Sequence, residues 1–160
     1  NITYNDTLAV FPYGNMGCVV EVKGQQIKDA LEMASRNCPD ETGGFLQVSG
    51  LSYTIDTSVP STVQTDEKGN FLKVGGAYRV TDIKVGEEAL DVNRTYTVAS
   101  HNYMLKSGGD GMTMFAGANI TRDEVMTDVD ILSAYINTNL GGNVGADYGD
   151  PHGQGRITVK

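Results

Sequence analysis

"RTYTVASHNYMLKSGGDGM" (residues 94–112) joins a run of alternating apolar residues to a glycine-rich loop. The alternation in its first seven residues predicts a β-strand that ends at His101. The remainder predicts a loop in which Tyr103 precedes Asp110, an acid with glycines on both sides. Loops at strand ends carry binding residues more often than the strands themselves. The stretch therefore predicts a sheet with an aromatic ring and an acid at one end.

Outward from this stretch, the chain alternates between strand and helix patterns. "GCVVEVKG" (17–24) predicts a strand, and "QQIKDALEMASRN" (25–37) predicts an amphipathic helix because its apolar residues recur at helical spacing. The segment 57–77 is rich in Ser, Thr, Pro and Gly and predicts a surface excursion or a hairpin tip. Further strands are predicted in "FLQVSG" (45–50), "LSYTID" (51–56) and "GRITVK" (155–160), with a hairpin in "YRVTDIKVGEEALD" (78–91).

A second helix is predicted within "TRDEVMTDVDILSAYINTNLGG" (121–142). Thr121 and Glu124 have the spacing of a capping box, and Thr127 with Asp130 offers a second start, so two beginnings stay open. Strands and helices that interleave with hairpins are typical of an α+β domain. We therefore predict a single α+β domain over residues 1–160, with helices packed on a mixed β-sheet.

Charge and motifs disfavour several classes of function. The chain has 20 acidic and 12 basic residues and a formal net charge of −8, which disfavours a nucleic-acid polymer but not a single nucleotide. No apolar run reaches the length of a transmembrane helix, so we expect no membrane contact by this domain. Common hydrolase and phosphate-loop motifs are missing, and neither His101 nor His152 has the acid spacing of a metal site. We expect the isolated chain to bind no metal or cofactor and to catalyse nothing.

The two cysteines, Cys18 and Cys38, leave two alternatives open. A strand over 17–23 would run out about 16 Å, and a helix over 25–36 would return about 18 Å, which brings Cys38 back towards Cys18. The pair would then be either a disulfide or two free thiols, as is common for buried cysteine.

Two loops carry residues suited to a nucleoside. Tyr13, in "VFPYGN" (10–15), and Tyr103 could sandwich a base, and each aromatic face contributes about 1–3 kcal/mol of stacking. Asp110 could accept hydrogen bonds from ribose hydroxyls, because the flanking glycines let the backbone approach a ligand. The alternative is a tight turn in which Asp110 bonds its own backbone and Tyr103 lies in the core.

Several segments, in order and spacing, resemble one known family. This family is the 5′-nucleotidase / UDP-sugar hydrolase / 2′,3′-cyclic-nucleotide phosphodiesterase family, and the resemblance is to its C-terminal domain. The combination of "PYGN", "FLQVSG" and "GGDG" is specific. The matching segments are "TLAVFPYGNMGCVVEVKGQQIKDALE" (7–32), "GGFLQVSGLSYTID" (43–56), the two stretches quoted above within 78–112, "DVDILSAYI" (128–136) and "GRI" (155–157).

The resemblance implies roles for individual residues. Tyr13 and Tyr103 correspond to the two rings, most often phenylalanines, between which the family clamps the base. Asp110 corresponds to the acid that accepts hydrogen bonds from the ribose hydroxyls, and Asn102 lies beside the clamp and shapes its loop. The predicted substrate-binding set also includes the glycines of these loops, namely Gly14, Gly108, Gly109 and Gly111.

The resemblance also implies a setting for this chain. Family members are two-domain hydrolases of nucleotide catabolism, usually exported or surface-bound, whose N-terminal metallophosphoesterase domain holds two divalent metals. We therefore expect an excised substrate-recognition domain, located outside the cell, in the periplasm or at the cell surface, with that N-terminal domain as its partner. The family's Asn-Gly-Gly-x-x-Arg segment, which also contacts the nucleoside, is not in this sequence. A stand-alone nucleoside-binding or surface-interaction module is the alternative, and self-association is a further prediction.

Overall fold

A computed structural model describes residues 1–150 and 153–160. His152 lies outside the described residues. No helix in the described part of the chain is long and apolar enough to cross a bilayer. The elements are α1 (Tyr4–Val10), β1 (Gly17–Lys23), α2 (Gly24–Ala34), β2 (Leu51–Ile55), β3 (Val63–Thr65), β4 (Phe71–Val74), β5 (Val80–Val85), β6 (Glu88–Ala89), β7 (Thr95–His101), α3 (Asn102–Leu105), β8 (Asn119–Arg122), α4 (Asp128–Ala134) and β9 (Ile157–Val159).

The strands form two sheets and a hairpin. In the first sheet β1 lies between β7 and β8 and is antiparallel to both, with Gly17 opposite His101. The second sheet has the order β6-β5-β2-β9 and is mixed, because β2 runs parallel to β9 and antiparallel to β5. Strands β3 and β4 form a hairpin within 57–77, which is one of the two alternatives predicted for this segment. The α+β class and the mixed sheet are thus confirmed.

Helix α2 packs its apolar stripe into the core. Its buried residues include Ile27, Ala30 and Leu31, at the spacing that predicted the helix. The Gln26 side chain accepts a hydrogen bond from the Lys23 N–H (2.7 Å) and so satisfies a backbone donor at the start of the helix. The core that α2 shares with β1, β2, β5 and α3 supports the end of the first sheet, where β7 finishes.

Two charged side chains, Glu32 and Arg79, are buried in this core, at 0% and 4% exposure. The Glu32 carboxylate accepts hydrogen bonds from the backbone N–H groups of Arg79 (3.1 Å) and Val80 (2.9 Å). The Arg79 guanidinium donates to the carbonyls of Cys38 (2.8 Å), Val59 (3.1 Å), Ser35 (3.2 Å), Arg36 (3.4 Å) and Thr57 (3.4 Å). Both charges are therefore satisfied mainly by backbone groups, which ties β5 to α2 and to the turn that follows it.

Two parts of the chain differ from simple expectation. Helix α4 begins after Thr127, whose hydroxyl oxygen accepts from the Asp130 N–H (3.2 Å). The alternative start at Thr121 is wrong, because residues 119–122 pair with the edge of β1 as β8. The strand predicted in 45–50 is also wrong: residues 45–48 are irregular, and their apolar side chains pack against the core without a strand ladder.

Cys18 and Cys38 are both free thiols, so the alternative of a disulfide is wrong. The two side chains lie in different surroundings. Cys18 is buried near Lys106 and Asp123, and its burial raises the pKa of its thiol. Cys38 lies near Tyr53, in the turn whose carbonyl accepts from Arg79. The turn after α2 therefore places Cys38 on the side of the core where Arg79 lies, away from Cys18.

Candidate functional site

The end of β7 presents Tyr103 to solvent. Helix α3 starts directly after His101, whose Nδ1 accepts a hydrogen bond from the Met104 N–H (3.3 Å). The single turn buries Met104 and Leu105, which leaves the Tyr103 side chain on the outer face at 47% exposure. Tyr103 therefore does not lie in the core.

Gly109 forms the surface on which the Tyr103 ring rests. A Cβ built on Gly109 would overlap the ring atoms Cδ1, Cε1 and Cζ at nearly equal distances. Equal distances to three neighbouring ring atoms mean that the ring turns a face, and not an edge, towards Gly109. The ring of His101 flanks Tyr103, with centroids 6.1 Å apart and planes inclined by 28°. No sequence motif indicates a role for this histidine.

The loop that carries Tyr13 lies beside the start of α3. Tyr13 is 87% exposed, and the Gly14 that follows it has a φ of 65°. Asn102 joins the loops through two hydrogen bonds with Met16: the Asn102 N–H donates to the Met16 carbonyl (2.8 Å), and the Met16 N–H donates to Asn102 Oδ1 (3.1 Å). Asn102, which precedes Tyr103, is thereby fixed to Met16, which lies in the loop that follows Tyr13.

Asp110 sits in a turn that holds its carboxylate outward. Its φ is 55°, between Gly108 at 67° and Gly111 at 78°, so three of four successive residues are in the left-handed region. Such a conformation is uncommon for a residue with a Cβ and is often found at functional sites. Among the described residues, none forms a hydrogen bond with the Asp110 carboxylate, so the alternative of an Asx bond to its own backbone finds no support.

Gly44 is a neighbour of Asp110 that is not among the predicted site residues. A Cβ built on Gly44 would lie 3.0 Å from Asp110 Cβ and 3.3 Å from its Cγ, so the backbone at 44 touches the acid. The neighbouring Gly43 has open space around it. In the sequence, only the Gly-Gly pair indicates a close backbone contact here, and it does not identify Asp110 as the residue in contact.

The side chains of Tyr13, Tyr103 and Asp110 are all exposed. A cavity of about 540 Å³ lies between α1 and α4, and one of about 560 Å³ lies within the loop 38–45. Neither is lined by Tyr13, Tyr103 or Asp110. Within residues 1–150 and 153–160 there is no group of three His, Cys, Asp or Glu that could hold a metal ion.

Lys106, which follows α3, is engaged in an ion pair. Lys106 Nζ lies 2.8 Å from both carboxylate oxygens of Asp123, and these hydrogen bonds raise the pKa of Lys106. The pair connects the end of α3 to the segment after β8. The surface can therefore offer aromatic faces, a carboxylate acceptor and backbone groups to a ligand, a set suited to a neutral polyol with an aromatic ring.

Comparisons with known proteins agree on one family. Residues 1–117 match the family model of the 5′-nucleotidase C-terminal domain. The chain is 31% identical over 162 residues to the trifunctional nucleotide phosphoesterase protein YfkN of Bacillus subtilis, covering 98% of this chain and 10% of that protein. It is 29% identical over 136 residues to human 5′-nucleotidase, covering 84% of this chain and 22% of that protein.

A solved structure gives the same result for the fold. The 5′-nucleotidase precursor from Thermus thermophilus superposes with a TM-score of 0.76 at 30% identity, over 99% of this chain and 28% of that chain. This sequence thus spans between 10% and 28% of the length of these relatives.

Proposed function

The chain belongs to the family of 5′-nucleotidase C-terminal domains, and from this we propose that it holds the nucleoside part of a nucleotide while a separate domain hydrolyses the phosphoester. The observation that carries the proposal is the pair of hydrogen bonds between Asn102 and Met16, at 2.8 and 3.1 Å. They keep the loops of Tyr13 and Tyr103 side by side, as a clamp with two rings requires.

The proposed contacts follow from the chemistry of each residue. Tyr13 and Tyr103 stack on the faces of the base, and stacking tolerates any base because every base has a π-face. Asp110 accepts hydrogen bonds from the ribose hydroxyls, and a charged acceptor makes these bonds stronger than neutral ones. Gly14, Gly108, Gly109 and Gly111 allow the backbone to come close to the ligand.

The proposed contribution to catalysis is positioning. A nucleoside held by two rings and a carboxylate presents its phosphate in one place, which removes much of the entropic cost of bringing the reactants together. The reacting groups are proposed to belong to an N-terminal metallophosphoesterase domain, where two divalent metals, when bound, supply an activated hydroxide. We therefore expect the 160-residue chain to release no phosphate from nucleotides when divalent metals are added. Phosphate release above the background would contradict this.

Location is proposed from the relatives. The Thermus thermophilus protein is named a precursor, which supports export of the parent protein to the periplasm, the cell surface or the medium. Self-association of the chain stays a prediction, which light scattering would test.

The direct test is an NMR titration of the 160-residue chain with adenosine and, separately, with uridine. The aromatic signals of Tyr13 and Tyr103 are expected to shift together and to saturate with one dissociation constant, because one base contacts both rings. A difference between the two ligands would report base preference. Saturating shifts confined to tyrosines elsewhere, or none at millimolar ligand, would contradict the clamp in this chain.

Gly44→Ala is expected to weaken adenosine binding about two- to tenfold, because the added Cβ displaces Asp110 and weakens its hydrogen bonds by ~0.5–1.5 kcal/mol. Gly43→Ala is the matched control, since a Cβ there meets no atom within 4 Å. The dissociation constant for adenosine is measured for both variants and for the unmodified chain. If both variants bound adenosine equally well, the contact of Gly44 with Asp110 would not contribute to ribose binding.

A further inference from the structure

We propose that His101 is a positioning residue for the Tyr103 ring and that its neutral imidazole makes nucleoside binding depend on pH. The inference rests on the proposed function, because Tyr103 must contact the base for its position to matter. It assigns to this histidine a role that the sequence pattern did not indicate.

Two contacts connect His101 to the clamp. Its ring stands 6.1 Å from that of Tyr103, with planes inclined by 28°. Its Nδ1 accepts the Met104 N–H at 3.3 Å, which caps the N-terminus of α3. Helix α3 has only four residues, and the His101 bond fixes its Met104 N–H. The two hydrogen bonds with Met16 hold its first residue, Asn102. Tyr103 lies inside that turn, between the cap residue and the donor.

The bond requires the neutral imidazole. Nδ1 accepts the Met104 N–H through its lone pair, and protonation places a hydrogen on that nitrogen and makes it a donor. Two N–H groups then face each other, the cap is lost, and the backbone around Tyr103 loosens. Protonation of the imidazole at lower pH therefore removes this hydrogen bond. Binding is strong where His101 is neutral and weakens where it is protonated.

Other titratable groups lie near His101, and their effects on binding must be distinguished from the effect of His101. The loop 11–16 contributes the phenol of Tyr13 and no charged side chain. Burial raises the pKa of the Cys18 thiol, and the Asp123 contact raises the pKa of Lys106, so neither changes charge between about pH 5 and 8. These groups lie on the elements packed around the end of β7: Cys18 on β1, Tyr103 on α3, Lys106 directly after α3, Asp110 in the following turn, Arg122 on β8, Asp123 and Glu124 after β8, and Asp128 at the start of α4.

The test compares adenosine affinity at about pH 7.5 and about pH 5.0 in the 160-residue chain and in His101→Asn. Asparagine is a good N-cap whose side-chain oxygen accepts the same bond and does not titrate. We expect the unmodified chain to bind about threefold or more weakly at the lower pH, and His101→Asn to bind with the same affinity at both. His152→Asn, the same change at the chain's other histidine, is expected to keep the loss at low pH.

A second readout does not depend on ligand. In the free chain the Met104 amide signal is expected to shift with the same midpoint as the His101 ring carbons, and to stop shifting in His101→Asn. Independent midpoints, or a pH dependence of binding that persists in His101→Asn, would overturn the role of His101. Absence of adenosine binding at about pH 7.5 would instead overturn the clamp, whatever the Met104 amide does.

Discussion

Tyr103→Ala is expected to weaken adenosine binding about 5- to 150-fold, the equivalent of about 1–3 kcal/mol for one lost stacking face. The structure supports a large effect because the ring is preorganised: one face rests on Gly109 and His101 flanks it. A ring that is already ordered loses little side-chain entropy when the base arrives. The dissociation constant from the NMR titration measures the loss.

Two controls isolate stacking from other effects of the substitution. Tyr103→Phe keeps the aromatic face and is expected to retain most of the affinity, with any difference between adenosine and uridine assigned to the phenol group. Tyr4→Ala removes an exposed tyrosine (59%) from α1 and is expected to leave the affinity unchanged. Equal losses in Tyr103→Ala and Tyr4→Ala would mean that the ring of Tyr103 does not hold the base.

Arg79→Met is expected to lower the free energy of unfolding by about 3 kcal/mol, because the backbone carbonyls that accept from the guanidinium lose their donor. The guanidinium donates to five backbone carbonyls at 2.8–3.4 Å, and methionine can donate to none of them. A buried carbonyl that loses its donor keeps its desolvation cost. Equilibrium unfolding in urea measures the change as a shift of the midpoint.

The matched control is Arg94→Met on the surface. Arg94 pairs with Glu88 at 3.2 Å, but the two side chains are 60% and 80% exposed. Pairs of this kind contribute about 0–1 kcal/mol, so little change is expected. If Arg79→Met destabilised the chain no more than Arg94→Met, the carbonyl contacts of Arg79 would be shown to contribute little.

Arg79 and Gly44 make contacts that sequence patterns do not predict. Arg79 lies in a stretch that predicts a strand and carries no sign of burial, whereas its exposure is 4%. Its carbonyl partners come from the turn after α2, between Ser35 and Cys38, and from the segment at Thr57 and Val59, so only the folded chain brings them together. Gly44 is the same case at the site, because its contact with Asp110 joins two distant loops.

The sequence by itself determined the local elements. Strands β1 and β7, helix α2 and the hairpins follow from periodicity, capping residues and glycine turns, which act between residues a few positions apart. The resemblance carried by "PYGN" and "GGDG" determined the family, because these motifs are short and contiguous.

Only the tertiary structure decided the arrangement between elements. Asn102 and Met16, 86 positions apart, bring together the loops of the two tyrosines, and no local pattern encodes that pairing. The edge of β1 made residues 119–122 a strand where a capping spacing had offered a helix. The two cysteines stayed free because α2 returns to a different part of the core. In each case the deciding free energy comes from contacts between distant segments, which exist only once the chain has folded.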